Sequence, residues 1–214
     1  MSTPVNTNVT NTGAAIPSIG IIGAGAIGSA VATILARHGI AATLSNSRSP
    51  DSLKDLVQGL PGITAGTREE AAAKDIVFVA VNWGRLPAAL AGLPDFGGRI
   101  VIDTNNPIEA PLFKPAELNG RLSSEVLADL VPGARVVKAF NHLAAKLLAS
   151  DPGTEGGKRV LFFSGDDAAA KATVAALIAR LGFSGIDLGA LAVGARLAQF
   201  PGGPLPLLNL VHFA

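Results

Sequence analysis

Ile19-Gly20-Ile21-Ile22-Gly23-Ala24-Gly25-Ala26-Ile27-Gly28 is the stretch that decides the fold. Ile19–Ile22 reads as a short buried strand, and the apolar run from Ala26 to about His38 reads as a helix. Between them Gly23–Gly28 fits G-x-G-x-x-G. The first glycine permits the tight turn, the second lets a diphosphate approach the backbone, and the third lets the helix pack closely on the strand. The helix N-terminus then presents unpaired N–H groups and a partial positive charge to an anion. A chain with 25 glycines can produce this spacing by accident, so the strand before it and the helix after it give it meaning.

Outward from this loop, apolar runs alternate with Ala- and Leu-rich helical stretches. Ala42–Ser45 reads as a second strand, and Ser49-Pro50-Asp51 as a helix start with Pro at the first helical position. Thr67 and Glu70 have capping-box spacing and open a helix that runs to about Lys74. The uncharged run Ile76–Val81 suits a central parallel strand covered on both faces. Further strands are expected at 99–103, 135–140, 160–163 and 183–188, with a helix from Asp166 to Leu181 closed by Gly182. The segment Asn106–Pro115, with three prolines, is expected to be an irregular loop. This alternation predicts an α/β fold of the Rossmann type: a doubly wound, mainly parallel sheet with helices on both faces and a small C-terminal lobe. The expected organisation is a flexible tail at 1–15, a nucleotide-binding domain at 16–150 and a C-terminal extension at 151–214 that completes the sheet.

The end of the second strand distinguishes the two pyridine nucleotides. A preference for NAD usually places Asp or Glu there, on the ribose 2′-hydroxyl. This chain has Ser45-Asn46-Ser47-Arg48 and no acid before Asp51. Ser47 can donate to a 2′-phosphate and Arg48 can pair with it or stack on adenine, so NADP is expected.

Composition removes other classes. Seventeen Lys+Arg against 16 Asp+Glu leave a net charge of +1, without the basic footprint of a nucleic-acid binder. No cysteine is present, which excludes thiol catalysis and thiolate metal sites. His38, His142 and His212 lie far apart without ligand spacing, so no metal centre is expected. No apolar run reaches the roughly 18–20 residues of a membrane span, and the first fifteen residues carry no basic start. A cytoplasmic protein without membrane contact is the expectation.

Taken together, Gly23–Gly28, Asn46-Ser47-Arg48-Ser49-Pro50 and Val137-Lys138-Ala139-Phe140-Asn141 resemble the NADPH-dependent reductases of the deazaflavin coenzyme F420. Gly165-Asp166-Asp167, Ile186-Asp187-Leu188-Gly189 and Ala195-Arg196-Leu197 fit the same pattern. The reductase domain of the STEAP metalloreductases is similar, which widens the implied acceptor to a flavin. The resemblance implies hydride exchange between NADP(H) and coenzyme F420 or a flavin, and a homodimer. By position it implies Gly23, Ala24, Gly25, Ala26, Ile27 and Gly28 on the diphosphate, with Asn46, Ser47 and Arg48 around the 2′-phosphate. Val81, Asn82 and Trp83 would flank the nicotinamide ribose and ring, and Asn141 and His142 the face shared with the acceptor. Archaeal members carry Pro in place of Asn82 and His in place of Asn141.

Hydride transfer needs two stacked rings in a water-poor pocket and no side-chain nucleophile. His142 is either a proton donor and ring-positioning group, or a histidine that caps the next helix or bonds a backbone carbonyl. Asn141 could orient a carboxamide or an acceptor carbonyl. Trp83 is either a stacking wall or core. Two further classes stay open: an NADP(H)-binding redox sensor or scaffold without turnover, and a carbonyl or imine reductase. The latter would require Lys138 as donor. The apolar segment from Pro204 to Phe213 is expected to pack beside the acceptor pocket or form a subunit interface.

Overall fold

The structure is a computed structural model and describes residues 17–109 and 112–213; the tail expected at 1–15 lies outside the described residues. In chain order the first half runs β1 (Ile19–Ile22), α1 (Ala26–Arg37), β2 (Ala42–Ser45), a 3-10 turn (Pro50–Leu53), α2 (Lys54–Gln58), β3 (Ile63–Ala65), α3 (Arg68–Ala72) and β4 (Ile76–Val79). A second 3-10 turn (Trp83–Arg85), α4 (Leu86–Leu90), β5 (Ile100–Asp103), β6 (Ile108–Glu109) and β7 (Lys114–Pro115) follow. The remainder is α5 (Ser123–Leu130), β8 (Arg135–Ala139), α6 (Ala145–Leu148), β9 (Gly153–Thr154), β10 (Gly157–Gly165), α7 (Ala168–Arg180), β11 (Ser184–Asp187), α8 (Leu191–Ala198) and β12 (Val211–His212).

The main sheet has the order β11-β10-β8-β5-β4-β1-β2-β3. From β3 to β8 every pairing is parallel, which gives the doubly wound order with its reversal beside β1. β10 enters antiparallel to β8, and β11 then runs parallel to β10. The alternation of side chains along each strand separates two cores. Ile19, Ile21, Phe78, Ile100 and Ile102 face α1 and α7, while Ile22, Val77, Val79 and Val101 face α3, α4, α5 and α8. The central strands are buried on both faces, so their near-continuous apolar character is what a covered parallel sheet demands.

Several local signals act as read. Thr67 accepts from the Glu70 N–H while Glu70 accepts from the Thr67 N–H, and α3 starts there. Asp167 caps α7, and Gly182 ends it at φ +85°. Asp166 serves a different helix, accepting from the Leu191 N–H at 3.0 Å where α8 begins. The segment 106–115 departs from its expected irregularity. Ile108–Glu109 pairs antiparallel with Lys114–Pro115 in a short separate ladder, which Pro115 can join because a two-residue edge needs few N–H donors. Among the described residues no helix is long and apolar enough to cross a membrane.

The glycine loop divides sharply by what each position faces. A Cβ on Gly23, whose φ is +109°, would stand 2.2 Å from the Ala80 carbonyl oxygen, and one on Gly28 would stand 1.8 Å from that of Gly23. A Cβ on Gly25 meets nothing within 4 Å. We expect Gly28→Ala to destabilise the fold by about 1–3 kcal/mol through overpacking. Gly25→Ala, at an ordinary φ of −78°, should stay within about 0.5 kcal/mol. Urea unfolding of the two variants checks this; equal losses would contradict it.

Candidate nucleotide cleft

The C-terminal ends of β1, β2 and β4 open onto a cleft of about 970 Å³. Its floor is Ile22 and the loop Gly23-Ala24-Gly25, which leads into α1 with no acidic residue and no side-chain cap in the first turn. The helix therefore presents its N–H groups and positive dipole end toward the cleft. One wall is the β2 turn. Asn46 Oδ1 accepts from the Arg48 N–H at 2.9 Å, and Asn46 Nδ2 donates to Ser52 Oγ at 2.9 Å. These bonds fold 46–48 into a compact turn that sets Ser47 and Arg48 on the rim, both exposed. The opposite wall is Ala80, Val81, Asn82 and Arg85, followed by Ala88 and Ala89 of α4. Leu53 and Leu56 add apolar surface to the lining.

The cleft is cationic. Arg48, Arg68 and Arg85 line it, and among the described residues no carboxylate does. Arg68 is already engaged: its guanidinium donates to the carbonyls of Ala88 and Ala89, each at 3.0 Å, and pairs with Glu69 at 3.3 Å. It thus ties the start of α3 to the C-terminal end of α4. Sequence reasoning missed Arg68 and Arg85, since neither belongs to a local motif. The available signal was position, because each follows closely on the end of a parallel strand.

Beyond Asn82 the floor rests on a closed polar network. Asn105 Oδ1 accepts from the Val81 N–H at 3.2 Å, and its amide donates to the Val79 carbonyl at 3.0 Å and to Asp103 Oδ1 at 3.0 Å. Asp103 Oδ2 accepts from Lys138 Nζ at 3.0 Å and from Ser124 Oγ at 2.7 Å, with both charged side chains sealed from solvent. Lys138 also donates to the Asn105 carbonyl.

The expected site residues separate into three groups. Gly23, Ala24, Gly25, Asn46, Ser47, Arg48, Val81 and Asn82 line the cleft. Ala26, Ile27 and Gly28 form the first turn of α1 directly behind it, and Trp83 is half-buried against the core on the α4 side. Asn141 and His142 lie outside the cleft. Phe140, at φ +62° and with its ring 5.2 Å from that of Phe78, turns the chain at the end of β8. Asn141 then donates to Asn106 Oδ1 at 3.0 Å and to the Ala198 carbonyl at 2.7 Å, while its own carbonyl accepts from Asn106.

His142 is 1% exposed, with its ring 4.9 Å from that of Phe162. Among the described residues neither ring nitrogen has a partner of good geometry and the ring caps no helix, and burial pushes its pKa down to about 4 against a weaker opposing influence of the Val160 backbone. At neutral pH the ring is neutral and has no acidic proton to supply.

Residues 18–107 match the family model "NADP oxidoreductase coenzyme F420-dependent". A solved candidate F420-dependent NADP-reductase from Arthrobacter sp. FB24 is 31% identical, with a TM-score of 0.70, over 82% of this chain and 86% of its own. The chain belongs to the coenzyme F420-dependent NADP oxidoreductase family. A hypothetical protein from Sinorhizobium meliloti is 45% identical, with a TM-score of 0.86, and the match covers 91% of this chain and 95% of that chain. Among curated proteins, the metalloreductase STEAP3 of Rattus norvegicus is 32% identical over 190 residues, which cover 89% of this chain and 37% of that protein. The chain therefore spans a little over a third of the length of the curated metalloreductases it matches.

His142 carries a pH dependence whose sign is fixed by its burial. The unfolded imidazole takes up its proton near 6.5 and the folded one only near 4, so the unfolded state binds more protons in between. Stability present above pH 6.5 is lost as pH falls toward 4, by roughly 3 kcal/mol at about 1.4 kcal/mol per pKa unit. His142→Phe, which keeps a flat ring against Phe162, should flatten this part of the pH profile of urea unfolding. An unchanged slope would contradict the assignment.

Proposed function

We propose that this oxidoreductase binds NADP(H) along the cleft and exchanges a hydride with a deazaflavin such as coenzyme F420, or with a flavin-type ring. The observation that carries the reading is the open space at Gly25: among the described residues no atom within 4 Å requires a glycine there, and Gly25 lines the cleft. Gly23 and Gly28 are accounted for by packing, whereas Gly25 is accounted for by a ligand that approaches the backbone.

The residues fit the group. The uncapped start of α1 and Gly25 hold the diphosphate, and Leu53, Leu56, Ala88 and Ala89 enclose the adenine. Ser47 and Arg48, on the turn braced by Asn46, take the 2′-phosphate, where a carboxylate would repel it. When bound, the reduced nicotinamide supplies the hydride. The chain's own part is to orient and to exclude water: the Asn105–Asp103–Lys138 network fixes Val81, and the apolar wall keeps solvent from the reacting faces. Lys138 is sealed from solvent with its Nζ turned to Asp103, the Asn105 carbonyl and Ser123 Oγ, and it does not line the cleft, which speaks against the donor role that a carbonyl or imine reductase would ask of it. Within the same reading, the C-terminal segment, with Leu207 64% and Phe213 59% exposed, is where two chains pair as a homodimer.

The test is to mix the purified protein and NADPH with coenzyme F420, FMN or FAD and to follow the loss of NADPH absorbance. Turnover with the deazaflavin or a flavin is expected; tight NADPH binding with no acceptor consumed would make the protein a sensor. Arg48→Ala should weaken NADPH by about 1–3 kcal/mol and leave NADH nearly unchanged. Equal losses for both nucleotides would remove the 2′-phosphate role.

A further inference from the structure

The glycine loop is gripped from both sides. On one side the Gly23 N–H donates to the Ser45 carbonyl at 2.9 Å, beside the turn that carries Arg48. On the other, Gly23 lies so close to the end of β4 that a Cβ there would meet Ala80 and Val81 at under 3 Å. Val81 leads directly into the turn Trp83–Arg85, closed by the Arg85 N–H donating to the Asn82 carbonyl at 2.8 Å. Arg48 and Arg85 therefore stand on opposite flanks of the loop, and both line the cleft.

These two cations differ from Arg68. Arg68 is committed to the α4 carbonyls and Glu69, whereas Arg85 is exposed and forms no ion pair among the described residues. The nearest acid on the β2 side beyond the turn, Asp51, is itself paired with Lys54 at 2.8 Å. A diphosphate carries two negative charges, and a helix N-terminus answers with the equivalent of about half a positive charge. The remainder calls for a side-chain cation beside the loop. Arg48 sits at the end of β2, where the ribose 2′ position of a bound dinucleotide falls. Arg85 is on the other flank, on the turn that follows Ala80 and Val81, and lines the same cleft as the loop.

We propose that Arg85 is a diphosphate-binding residue, closing over the glycine loop from the β4 side and reading the part of the ligand common to NADP(H), NAD(H) and ADP. This rests on the nucleotide reading given above and adds to it a division of labour: Arg48 selects the 2′-phosphate and Arg85 holds the diphosphate whatever the 2′ substituent.

Calorimetric titration of the wild type, Arg85→Gln and Arg85→Lys with NADPH, NADH and ADP tests it. Arg85→Gln should weaken all three by a similar factor, about tenfold or more for a lost charged hydrogen bond. Arg85→Lys should recover part of the loss, and added salt should narrow the gap between wild type and Arg85→Gln. Unchanged affinities in Arg85→Gln, with the wild type binding normally, would overturn the proposal and leave Arg85 a solvated side chain. A loss confined to NADPH would also overturn it, by moving Arg85 to the 2′-phosphate. A wild type that binds none of the three would instead overturn the nucleotide reading itself, and this proposal with it.

Discussion

Two opposite charges closed away from water, Lys138 and Asp103, constrain the architecture around the cleft. Burying an ion pair is unfavourable unless the geometry is good and the remaining donors and acceptors are filled. Here each carboxylate oxygen of Asp103 takes two donors: Lys138 Nζ and Ser124 Oγ on one, the Asn105 N–H and amide on the other. Lys138 in turn reaches Asp103, the Asn105 carbonyl and Ser123 Oγ. The pair lies side by side in register, on β5 and β8, and draws in α5 through its first two residues. A half-filled network would cost more than an apolar replacement, so the ends of β5 and β8, the start of α5 and the loop through Asn105 are specified together. Asn105 carries that specification on to β4 through Val79 and Val81, which is how a pair far below the surface sets the position of a cleft wall.

The cleft's other wall is built on a different principle. Around β1 and β2 the chain uses backbone proximity: Gly20 accommodates the Ala71 carbonyl, whose oxygen would lie 2.0 Å from a Cβ, and Gly28 accommodates Gly23. Close approach of main chains leaves no room for side chains, and the surface it presents is made of N–H groups and small residues. Such a surface has positive character without mobile cations, and it is rigid because its spacing is fixed by van der Waals contact. Arg48 and Arg85 are then exposed additions to this surface, while Arg68 is tied into it.

Much of this was legible in the sequence because the signals were local. The glycine loop, the capping box at Thr67, the cap at Asp167 and the apolar central strands each depend on residues a few positions apart. Where the decisive contact was distant, the sequence was silent. β3 is three residues long with one buried side chain, Ile63, and exists because β2 offers it an edge. The hairpin at β6 and β7 hides among prolines that usually oppose pairing. Arg68 and Arg85 belong to no motif, and only their place after the ends of β3 and β4 points toward the cleft they line. His142 and Asn141 follow the end of β8, as their place in the sequence suggests, but the left-handed turn at Phe140 directs both into the protein.

That inward turn explains how the C-terminal segment is held. Asn141 bonds the Ala198 carbonyl, Asn106 accepts from the Phe200 N–H at 3.1 Å, and the carbonyl of His142 accepts from the Leu207 N–H at 2.7 Å. Farther on, Arg159, only 6% exposed, donates to Asn209 at 2.7 Å, and Val211–His212 pairs with the start of β10. Every one of these attachments is polar or main-chain, which frees the apolar side chains from anchoring duty. Leu207, Leu208, Leu210 and Phe213 accordingly face outward on a segment whose backbone is fastened. A loose apolar tail would collapse onto the nearest surface, whereas a fastened one keeps its side chains presented. The half-buried amide of Asn106 and the buried one of Asn141 therefore do for the C-terminal segment what the Lys138–Asp103 pair does for the cleft: they fix a backbone from within, so that its outer face is left for something else to meet.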